Sequence, residues 1–364
     1  MIELDNMIWD IIVIGAGPAG STFAREISKL NKTVLVIDGQ TAEKSKPCGG
    51  LLAPDAQKLL AHSDMILPKD VLVDPQIFSV KTMDLGTGLT RYYQRYYMNM
   101  DRYAFDLHLM SLIPENICIT EGRCTGIAQD DGLFNVQVHQ YGDIVQFKCR
   151  NIVGADGASS IVRRKFFPDR SISRYTAIQQ WFAYDGQEKP FYSCIFDRET
   201  SDSCSWTIHK DGYLLYGGCF KSEGCREAFE LQKERFEAFS GIELNEPILT
   251  EACQACRPKH MRDFVTGEGN IFLIGEAAGF ISPSSFEGIS SAMFSGKALA
   301  EAFADSNAAA SYSRKVRRLK YKLYFKTWKR AFMYTPWTRK LIMKSGISSI
   351  KVSEKQENYE DDQY

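Results

Sequence analysis

Short apolar runs flank one amphipathic segment in the first forty residues of the chain. Asp10–Ile14 and Thr33–Ile37 are rich in β-branched residues, which is typical of strands buried on both faces of a parallel sheet. Between them, Ser21–Leu30 carries its apolar side chains at the spacing that puts them on one face of a helix. This pattern predicts a β–α–β unit with a sharp, glycine-rich turn after its first strand.

The rest of the chain mixes strand patterns with amphipathic helices. Strands are predicted within 76–98, 117–153, 174–220 and 270–274, and helices at 103–112, 223–239 and 290–303. No repeat or flexible linker separates these segments, so we expect two domains that interleave along the sequence. The predicted fold class is α/β: a Rossmann-like domain interleaved with a mainly antiparallel β-sheet domain, plus a helical C-terminal cap. The expected ranges are 1–75, 99–173 and 260–308 for the first domain, 76–98 and 174–259 for the second, 309–353 for a basic helical segment and 354–364 for an acidic tail.

Composition narrows the class of protein further. The 364 residues are 44% hydrophobic and 24% charged, as is typical of a soluble globular chain. A net charge of −1 argues against a nucleic-acid-binding protein, because it provides no attraction to phosphate backbones. The 10 cysteines have no framework spacing, and Glu3, Asp5 and Asp10 stand where a signal peptide would be basic. We therefore expect free thiols in a cytoplasmic protein, and no apolar run is long enough to span a membrane.

Charge is distributed unevenly near the carboxyl terminus. Residues 306–353 contain 13 Lys and Arg and no acid, whereas Glu354–Tyr364 contains five acids and one Lys. Within the basic segment a helix, broken near Pro336, is predicted from an apolar stripe at helical spacing. The stripe consists of Tyr312, Val316, Leu319, Leu323, Trp328 (or Thr327) and Phe332. Two interpretations are open: a helix that lies on an anionic membrane surface at the inner face of the membrane, or a terminal helix docked on the protein itself.

The strongest chemical signal is Gly15-x-Gly17-x-x-Gly20, which follows the first strand and precedes the helix. The first glycine permits a tight turn, the second lets a pyrophosphate approach the backbone, and the third lets the helix pack on the sheet. Ala19 lies in the same turn, at a helix start whose N–H groups favour phosphate. Asp38 ends the second strand, where a carboxylate accepts hydrogen bonds from ribose hydroxyls and repels a 2′-phosphate. These residues indicate FAD or NAD rather than NADP.

Two later segments repeat the plan of a strand that runs into a turn of small residues. Residues 151–160 contain Asp156-Gly157, and residues 269–279 contain Gly275-Glu276. In this order the three segments resemble the FAD-binding set of the p-hydroxybenzoate hydroxylase type of flavoprotein. Lys46–Leu52 and Ser205-Trp206-x-x-x-Lys210-x-Gly212 resemble the geranylgeranyl reductase branch of that type. Five phrases are similar to the CbrA family within this branch: Lys46–Gln57, Asp74–Thr82, Ala177–Phe182, Phe191–Asp197 and Phe272–Ser282.

The resemblance implies FAD as the cofactor and assigns roles to several residues. Glu276 stands where the wider family usually has an Asp that hydrogen-bonds the ribityl chain, and Phe286 stands where a Gly is common. Gly288 and Ile289 match a turn whose N–H groups face the flavin edge on which negative charge develops. Arg102 matches a helical arginine that faces the pyrophosphate; the alternative is an ion pair with Asp106, four residues later.

Pro47-Cys48-Gly49-Gly50 resembles the family loop that passes over the flavin ring. Glycines without side chains let the backbone lie against a flat aromatic system, so Gly49 and Gly50 are expected cofactor contacts. Cys48 is then a candidate catalytic residue, as a proton donor or redox partner beside the flavin. The alternative is a small buried cysteine that serves packing only.

The predicted strands at 174–220 are unusually aromatic and suggest an apolar cleft against the flavin. Gln180 and Trp206 are the expected substrate contacts, although a sheet core would explain most of the other aromatic residues. Cys253-x-x-Cys256-x-x-x-His260 offers three metal ligands where a structural zinc site has four, so no metal is expected.

The resemblance implies an FAD-dependent oxidoreductase. The leading hypothesis is a reductase that transfers hydride to a C=C bond of an isoprenoid-like or other apolar substrate. The alternatives are a monooxygenase of an aromatic or polyene substrate and a flavin-binding regulatory protein without turnover. Because no second GxGxxG motif marks a nicotinamide domain, either NAD(P)H or a protein electron donor could be the reductant.

Overall fold

The structure is a computed structural model that describes residues 7–39, 46–187 and 189–351. The acidic tail predicted at 354–364 lies outside the described residues. The strands are β1 (Ile8–Ile14), β2 (Val34–Asp38), β3 (Leu51–Leu52), β4 (Ile77–Asp84), β5 (Leu89–Asn99), β6 (Cys118–Glu121), β7 (Arg123–Asp130), β8 (Leu133–Gln140), β9 (Asp143–Gly154), β10 (Arg174–Ala183), β11 (Phe191–Phe196), β12 (Cys204–Lys210), β13 (Tyr213–Lys221), β14 (Leu249–Cys256), β15 (Gly267–Glu268), β16 (Ile271–Leu273) and β17 (Ser349–Ile350). The α-helices are α1 (Pro18–Ile27), α2 (Pro54–His62), α3 (Arg102–Ser111), α4 (Ile161–Phe166), α5 (Cys225–Ser240), α6 (Ile289–Ala302), α7 (Ala308–Lys315), α8 (Arg317–Tyr334) and α9 (Pro336–Ser345).

The first sheet is built on parallel strands in the order β16-β9-β1-β2-β6, with β15 antiparallel at one edge. Residues 11–14 of β1 and all of β2 are buried, as their continuous apolar runs predict. Helices α1 and α6 pack together against this sheet. Strands β7, β8 and the first half of β9 form an antiparallel meander that extends the same sheet.

The second sheet runs in the order β14-β10-β13-β12-β11-β4-β5-β17, and β3 pairs with β5. Its neighbours are antiparallel except for the parallel pair β4 and β11. Helix α5 covers one face, where Phe229 and Phe236 pack on Tyr216 of β13. The other face is turned toward the first sheet. The predicted α/β class with two interleaved sheets is thus confirmed.

The predicted helices at 21–30, 103–112, 223–239 and 290–303 are present with ends shifted by up to three residues. The largest shift is in α1, which begins at Pro18 because proline suits the first helical position. Helix α8 ends at Tyr334 and α9 begins at Pro336, so the predicted break is confirmed. No described helix is both long enough and apolar enough to cross a membrane.

The C-terminal helices are tied to both sheets. In α7, the buried Tyr312 hydroxyl donates to the carbonyl of Leu273 at 3.0 Å. In α9, the guanidinium of Arg339 pairs with Asp84 of β4 at 2.8 Å, and both side chains are almost fully buried. Strand β17 then pairs with β5, so the end of the described chain returns to the second sheet.

The predicted apolar stripe of the basic segment runs from α7 into α8, where its residues divide between two faces. Tyr312, Val316 and Leu323 are buried against the protein, and Thr327 is half-buried beside them. Trp328 and Phe332, in contrast, are 63% and 58% exposed. Of the two alternatives at this point of the stripe, Thr327 is confirmed and Trp328 is not, and the inclusion of Phe332 in the docked stripe is wrong.

Candidate functional site

A continuous cleft of about 1100 Å³ lies between the two sheets and is bordered by α8. Small-molecule sites commonly measure about 300–1,000 Å³, so this cleft can hold a large cofactor together with a substrate. One end, here the turn end, is lined by Gly15, Gly17, Asp38, Asp156 and Glu276. The other, the aromatic end, is lined by Tyr97, Tyr192, Phe196, Trp206, Phe286 and Tyr334.

The turn end lies where four parallel strands finish. Strands β1, β2, β9 and β16 run in one direction, so their carboxyl ends meet at the same edge of the sheet. The turns that follow are joined by main-chain hydrogen bonds: Gly15 N donates to Ile37 O at 2.8 Å and Ala155 N donates to Ile14 O at 2.8 Å. Crevices at this edge are the usual ligand sites of open α/β sheets. The three sequence segments are therefore neighbours in space.

In the first turn, packing within the protein requires glycine at position 20 but not at position 17. A Cβ at Gly20 would lie 1.9 Å from the carbonyl oxygen of Gly15, so no larger residue fits there. A Cβ at Gly17 would meet nothing within 4 Å and would project into open space. Gly17 also has an extended backbone, which other residues adopt readily. Since the protein itself leaves the space beside Gly17 open at the start of α1, a ligand can approach the backbone there.

Two carboxylates lie on either side of this turn. Asp38 accepts a hydrogen bond from Ala16 N at 3.1 Å, which ties the end of β2 to the glycine turn. Asp156 accepts from Ile161 N at 2.6 Å through Oδ2, whereas its buried Oδ1 has no hydrogen-bond partner within the described chain. Burial raises the pKa of Asp156 above its usual range. A buried acceptor without a partner is costly, so Asp156 is suited to a ligand that donates to it.

Glu276 has protein partners at both oxygens. Oε1 accepts from Cys256 N at 2.8 Å, and Oε2 pairs with the ammonium of Lys46. Burial by itself would lower the pKa of Lys46, but the charge of Glu276, the hydrogen bond to it and the nearby Cys253 together outweigh burial and hold the pKa above the usual range. Glu276 and Gly275 lie at the turn after β16, as predicted, while the contact of Glu276 with a ribityl chain stays a prediction.

The loop Pro47–Gly50 lies against the second sheet. Gly50 has φ +63°, and a Cβ there would be 2.2 Å from the carbonyl oxygen of Met100. A Cβ at Gly49 would be 2.8 Å from Ile208 Cδ1, so the loop packs directly on β12. Cys48 precedes these two glycines and lines the cleft. Its Sγ accepts a hydrogen bond from Gly50 N at 3.4 Å. The loop lines the cleft, while its predicted contact with a flavin ring stays a prediction.

Two cations lie next to Cys48. Lys210 is buried beneath the loop and donates to Asn99 Oδ1 and Met100 O at 2.8 and 2.7 Å. Burial lowers the pKa of Lys210 to about 8, although the nearby thiol of Cys48 opposes this shift. Arg102 lies on the other side. The role of Cys48 as a proton donor or redox partner stays a prediction, as does the packing alternative.

Arg102 forms the ion pair that was the alternative to phosphate binding. Its Nε and Nη2 donate to the two oxygens of Asp106 at 2.9 and 3.1 Å. Burial would lower the pKa of Arg102, but the charge of Asp106, its hydrogen bonds and the nearby Cys48 together outweigh burial and raise the pKa. The guanidinium nevertheless lines the cleft, so a phosphate contact stays a prediction alongside the observed pair.

Gly288 and Ile289 line the cleft where α6 begins. Glu287 caps this helix by accepting from Ser290 N at 3.0 Å. Phe286, just before it, has φ +52°, a left-handed conformation that is costly for a side chain of this size. Cation–π contacts with Arg257 offset this cost. The guanidinium of Arg257 is fully buried and lies 5.4 Å from the Phe286 ring and 4.7 Å from the Tyr175 ring. The departure from glycine seen in the sequence is thus accommodated by an aromatic cluster.

At the aromatic end, one predicted substrate contact lies in the cleft and the other does not. Trp206 and Ile208 share a face of β12 and line the cleft, and the buried indole Nε1 of Trp206 has no partner among the described residues. Gln180 is on the opposite face of β10, where it contacts Lys233 and Glu230 of α5. Its prediction as a cleft residue is wrong by one position, since Gln179 lines the cleft instead.

Several cleft residues carry no recognisable motif. Arg95, Lys326 and Lys329 border the aromatic end from β5 and α8. Cys194 and Cys204 lie there on neighbouring strands. A hydrogen bond from Cys194 lowers the pKa of Cys204 to about 7, with further help from Tyr334 and Arg257. Their only sequence signal is strand periodicity, which places Cys204 on the same face as Trp206.

Cys253 and Cys256 do not converge with His260. Cys253 Sγ lies 3.7 Å from Pro47 O, whereas Cys256 Sγ lies 3.7 Å from Ala158 O. Burial raises the pKa of Cys253 to about 11 and that of Cys256 to about 12, so both are thiols. Among the described residues no group of three His, Cys, Asp or Glu side chains is arranged to hold a metal ion.

Comparison with known proteins relates the chain to one set of bacterial proteins. It is 44% identical over 351 residues to "Protein CbrA" of Escherichia coli O9:H4 (strain HS), an alignment that covers 94% of each protein. No protein-family model matches the chain.

Solved structures share the fold. A geranylgeranyl bacteriochlorophyll reductase-like protein from Thermoplasma acidophilum superposes with a TM-score of 0.79 at 18% identity, covering 94% of this chain and 91% of that one. PqsL, a probable FAD-dependent monooxygenase from Pseudomonas aeruginosa, superposes with a TM-score of 0.69 at 15% identity, covering 94% and 100%. At such identities the likeness establishes the architecture of both sheets.

Proposed function

The chain belongs to the CbrA family, and we propose that it is an FAD-dependent oxidoreductase whose cofactor binds along the turn end of the cleft. The observation that carries this proposal is the meeting of four strand ends around an open helix start and an unpartnered buried carboxylate oxygen of Asp156. A dinucleotide supplies phosphates that the N–H groups of the helix start can bind and hydroxyl groups that can donate to the carboxylate.

The chain's residues match the parts of FAD in order along the cleft. Asp38 would accept from the ribose hydroxyls, and the start of α1 at Gly17 would hold the pyrophosphate. Asp156 and Glu276 would receive hydrogen bonds from the linking chain. When bound, FAD supplies the hydride chemistry, and the protein supplies position, electrostatics and exclusion of water.

The aromatic end supports an apolar substrate. Tyr97, Tyr192, Phe196 and Met333 surround the space next to Trp206, and a hydrocarbon chain would bury its surface against them. We therefore propose the reduction of a C=C bond in an isoprenoid-like or other apolar substrate. Such a reduction adds one hydride and one proton; the Sγ of Cys48, between Arg102 and Lys210, is the proposed proton donor.

A monooxygenase is the second candidate. Its support is the likeness of the whole fold to PqsL, which is described as a probable FAD-dependent monooxygenase. For both candidates the reductant is either NAD(P)H or a protein electron donor. A binding protein without turnover is the third candidate, and it predicts a flavin that none of these donors reduces productively.

The proposal is tested on the purified full-length chain. It should be yellow and should release FAD, not FMN, on denaturation, as judged by chromatography and mass spectrometry. A colourless protein that FAD does not reconstitute would end the proposal. Oxygen consumption coupled to nicotinamide oxidation would favour the monooxygenase, whereas a product heavier than the substrate by two hydrogens would favour the reductase. Mass spectrometry of co-purified ligands would identify the substrate class.

A further inference from the structure

Helix α8 has a second apolar face that points away from the protein. Tyr321, Phe325, Trp328 and Phe332 follow one another at intervals of four, three and four residues, which places all four on one side of the helix. Their side chains are 52%, 63%, 63% and 58% exposed. We call these four residues the outer stripe. The docked face, with Leu323 at its centre, lies on the opposite side.

The next helix enlarges this surface. Trp337 and Leu341 are four residues apart on one side of α9 and are 66% and 58% exposed. Isolated exposed apolar side chains are ordinary on protein surfaces, but six large ones on two consecutive helices form a patch that marks an interaction site. Four of the six are tryptophan or phenylalanine, which have a high affinity for an apolar partner.

Cations without acidic neighbours surround the patch. Arg317, Arg318, Lys329, Lys340 and Lys344 are all exposed, and no ion pair involves them within the described chain. The described part of α8 and α9 contains no acid at all, so nothing on these helices offsets their charge. Among the described residues, the helices' two ion pairs are Lys322–Asp55 and Arg339–Asp84, which join them to the body of the protein.

We propose that the outer stripe, Trp337, Leu341 and the surrounding cations dock the protein on an anionic lipid bilayer. Aromatic rings enter the headgroup region, where their apolar bodies meet acyl chains, while the cations above them meet lipid phosphates. A bilayer suits this surface better than a protein groove, because the patch is convex, follows a helix, and is uniformly basic at its borders. The proposal does not depend on the proposed chemistry, since the docking residues lie outside the cofactor site.

Docking would bring the cleft close to the lipid. Lys326, Lys329, Met333 and Tyr334 of the same helix line the aromatic end of the cleft. One helix thus forms both the wall of the cleft and the proposed docking surface. An apolar substrate dissolved in the bilayer would then need to move only around α8 to reach the site.

Co-sedimentation with vesicles of phosphatidylglycerol and phosphatidylcholine tests the proposal on the full-length protein. We expect binding to vesicles that contain phosphatidylglycerol and little binding to pure phosphatidylcholine. Binding should weaken sharply between about 0.1 and 1 M salt, because the screening length falls from about 10 Å to about 3 Å. Tryptophan fluorescence should shift to the blue on addition of the anionic vesicles only, as Trp328 and Trp337 leave water.

Two sets of variants separate the aromatic from the electrostatic contribution. Phe325→Ser, Trp328→Ser and Phe332→Ser together should reduce the partition coefficient at least tenfold, and these exposed positions should not affect folding. Arg317→Glu, Arg318→Glu and Lys340→Glu together should reduce it by more than about 100-fold, since each lost cation costs about fivefold and each new carboxylate is repelled by the anionic surface. The matched controls are Tyr141→Ser, Ile144→Ser and Ile248→Ser for the first set, and Lys148→Glu, Lys165→Glu and Arg226→Glu for the second; these residues are exposed elsewhere on the protein.

The proposal is overturned if wild-type protein does not sediment with anionic vesicles at low salt, or if the stripe variant binds as well as its control. Sedimentation velocity without lipid tests the alternative that the outer stripe is a contact between two copies of the chain. If the wild-type protein is a dimer and the stripe variant a monomer, a second copy of the chain covers this face and the bilayer proposal is wrong. A monomer in both cases, with lipid binding lost only in the variants, supports it.

Discussion

The two ends of the cleft are built in different ways. At the turn end the protein offers main-chain turns, which close the ends of β1, β2, β9 and β16 and are joined to each other by backbone hydrogen bonds. At the aromatic end the cleft is lined by residues of β5, β11, β12 and α8, among them several large aromatic side chains. A site made of backbone depends on a few small residues at fixed positions. A site made of side chains depends on strand register and can change its residues without changing the fold.

The largest effect is expected at the turn end. Gly17→Val should abolish FAD binding, because its side chain would occupy the space that the turn leaves open for the pyrophosphate. The protein should still fold, since that space is empty of protein atoms and the backbone is extended. Flavin content and thermal unfolding of the same preparation measure both outcomes. Gly17→Ala should give an intermediate loss, and normal flavin content in the valine variant would contradict the assignment of this turn.

At the other end, a buried ion pair joins α9 to β4. Arg339→Met leaves the carboxylate of Asp84 buried without its cation, which should lower the free energy of unfolding by about 4 kcal/mol. The double variant Asp84→Asn with Arg339→Met should recover part of this loss, because neither charge is left alone. Urea unfolding of the three proteins measures the effect. FAD content should stay unchanged in any variant that folds, and its loss would show that the two ends are coupled.

Lys210 lies between the two ends and should make stability depend on pH. Its pKa is lowered to about 8 in the folded protein, against about 10.5 when unfolded. The unfolded chain therefore holds more protons between these pH values, and stability should rise with pH across this window, by about 3 kcal/mol in total. Below pH 8 the full cost of the buried charge is present. Comparing wild type with Lys210→Met from pH 7 to 10.5 isolates this contribution, and parallel curves would exclude it.

The smallest effect is expected at Cys48, the candidate proton donor. Cys48→Ala should retain FAD and lose at least tenfold in turnover, about 1.4 kcal/mol of transition-state stabilisation. Cys204→Ala, at the aromatic end, is the matched control and should change substrate affinity more than turnover. Single-turnover reoxidation of the reduced flavin by substrate would measure the step directly. Unchanged turnover in Cys48→Ala with a modest loss of stability would assign Cys48 to packing.

The same contrast explains what the sequence could predict. The turn at Gly15–Gly20, the acid Asp38 and the later Asp156 and Glu276 turns are local patterns, and the structure brings them together because parallel strands end at one edge. The residues at the aromatic end depend on which face of a strand is turned inward. Gln180 and Gln179 differ by one position, and a single sequence contains nothing that sets that register.

The C-terminal helices illustrate a second limit. Periodicity correctly predicted an apolar face from Tyr312 to Leu323, yet a helix of this length has room for two such faces. Trp328 and Thr327 compete for the same position in the pattern, and only the packing of α8 on the protein shows which one is inside. The pairing of Lys46 with Glu276 was also beyond prediction, because 230 residues separate the two partners.

The order of strands in the first sheet has a consequence for how the protein is made. Strand β1 leaves the ribosome first, but its neighbour β9 ends at Gly154 and the next strand, β16, ends at Leu273. At ordinary rates of synthesis β1 must wait on the order of ten seconds for β9, with one hydrophobic edge unpaired. Nascent chains that stop before β16 should therefore be sensitive to protease and prone to aggregate, and the protein should be a slow folder that relies on chaperones during synthesis.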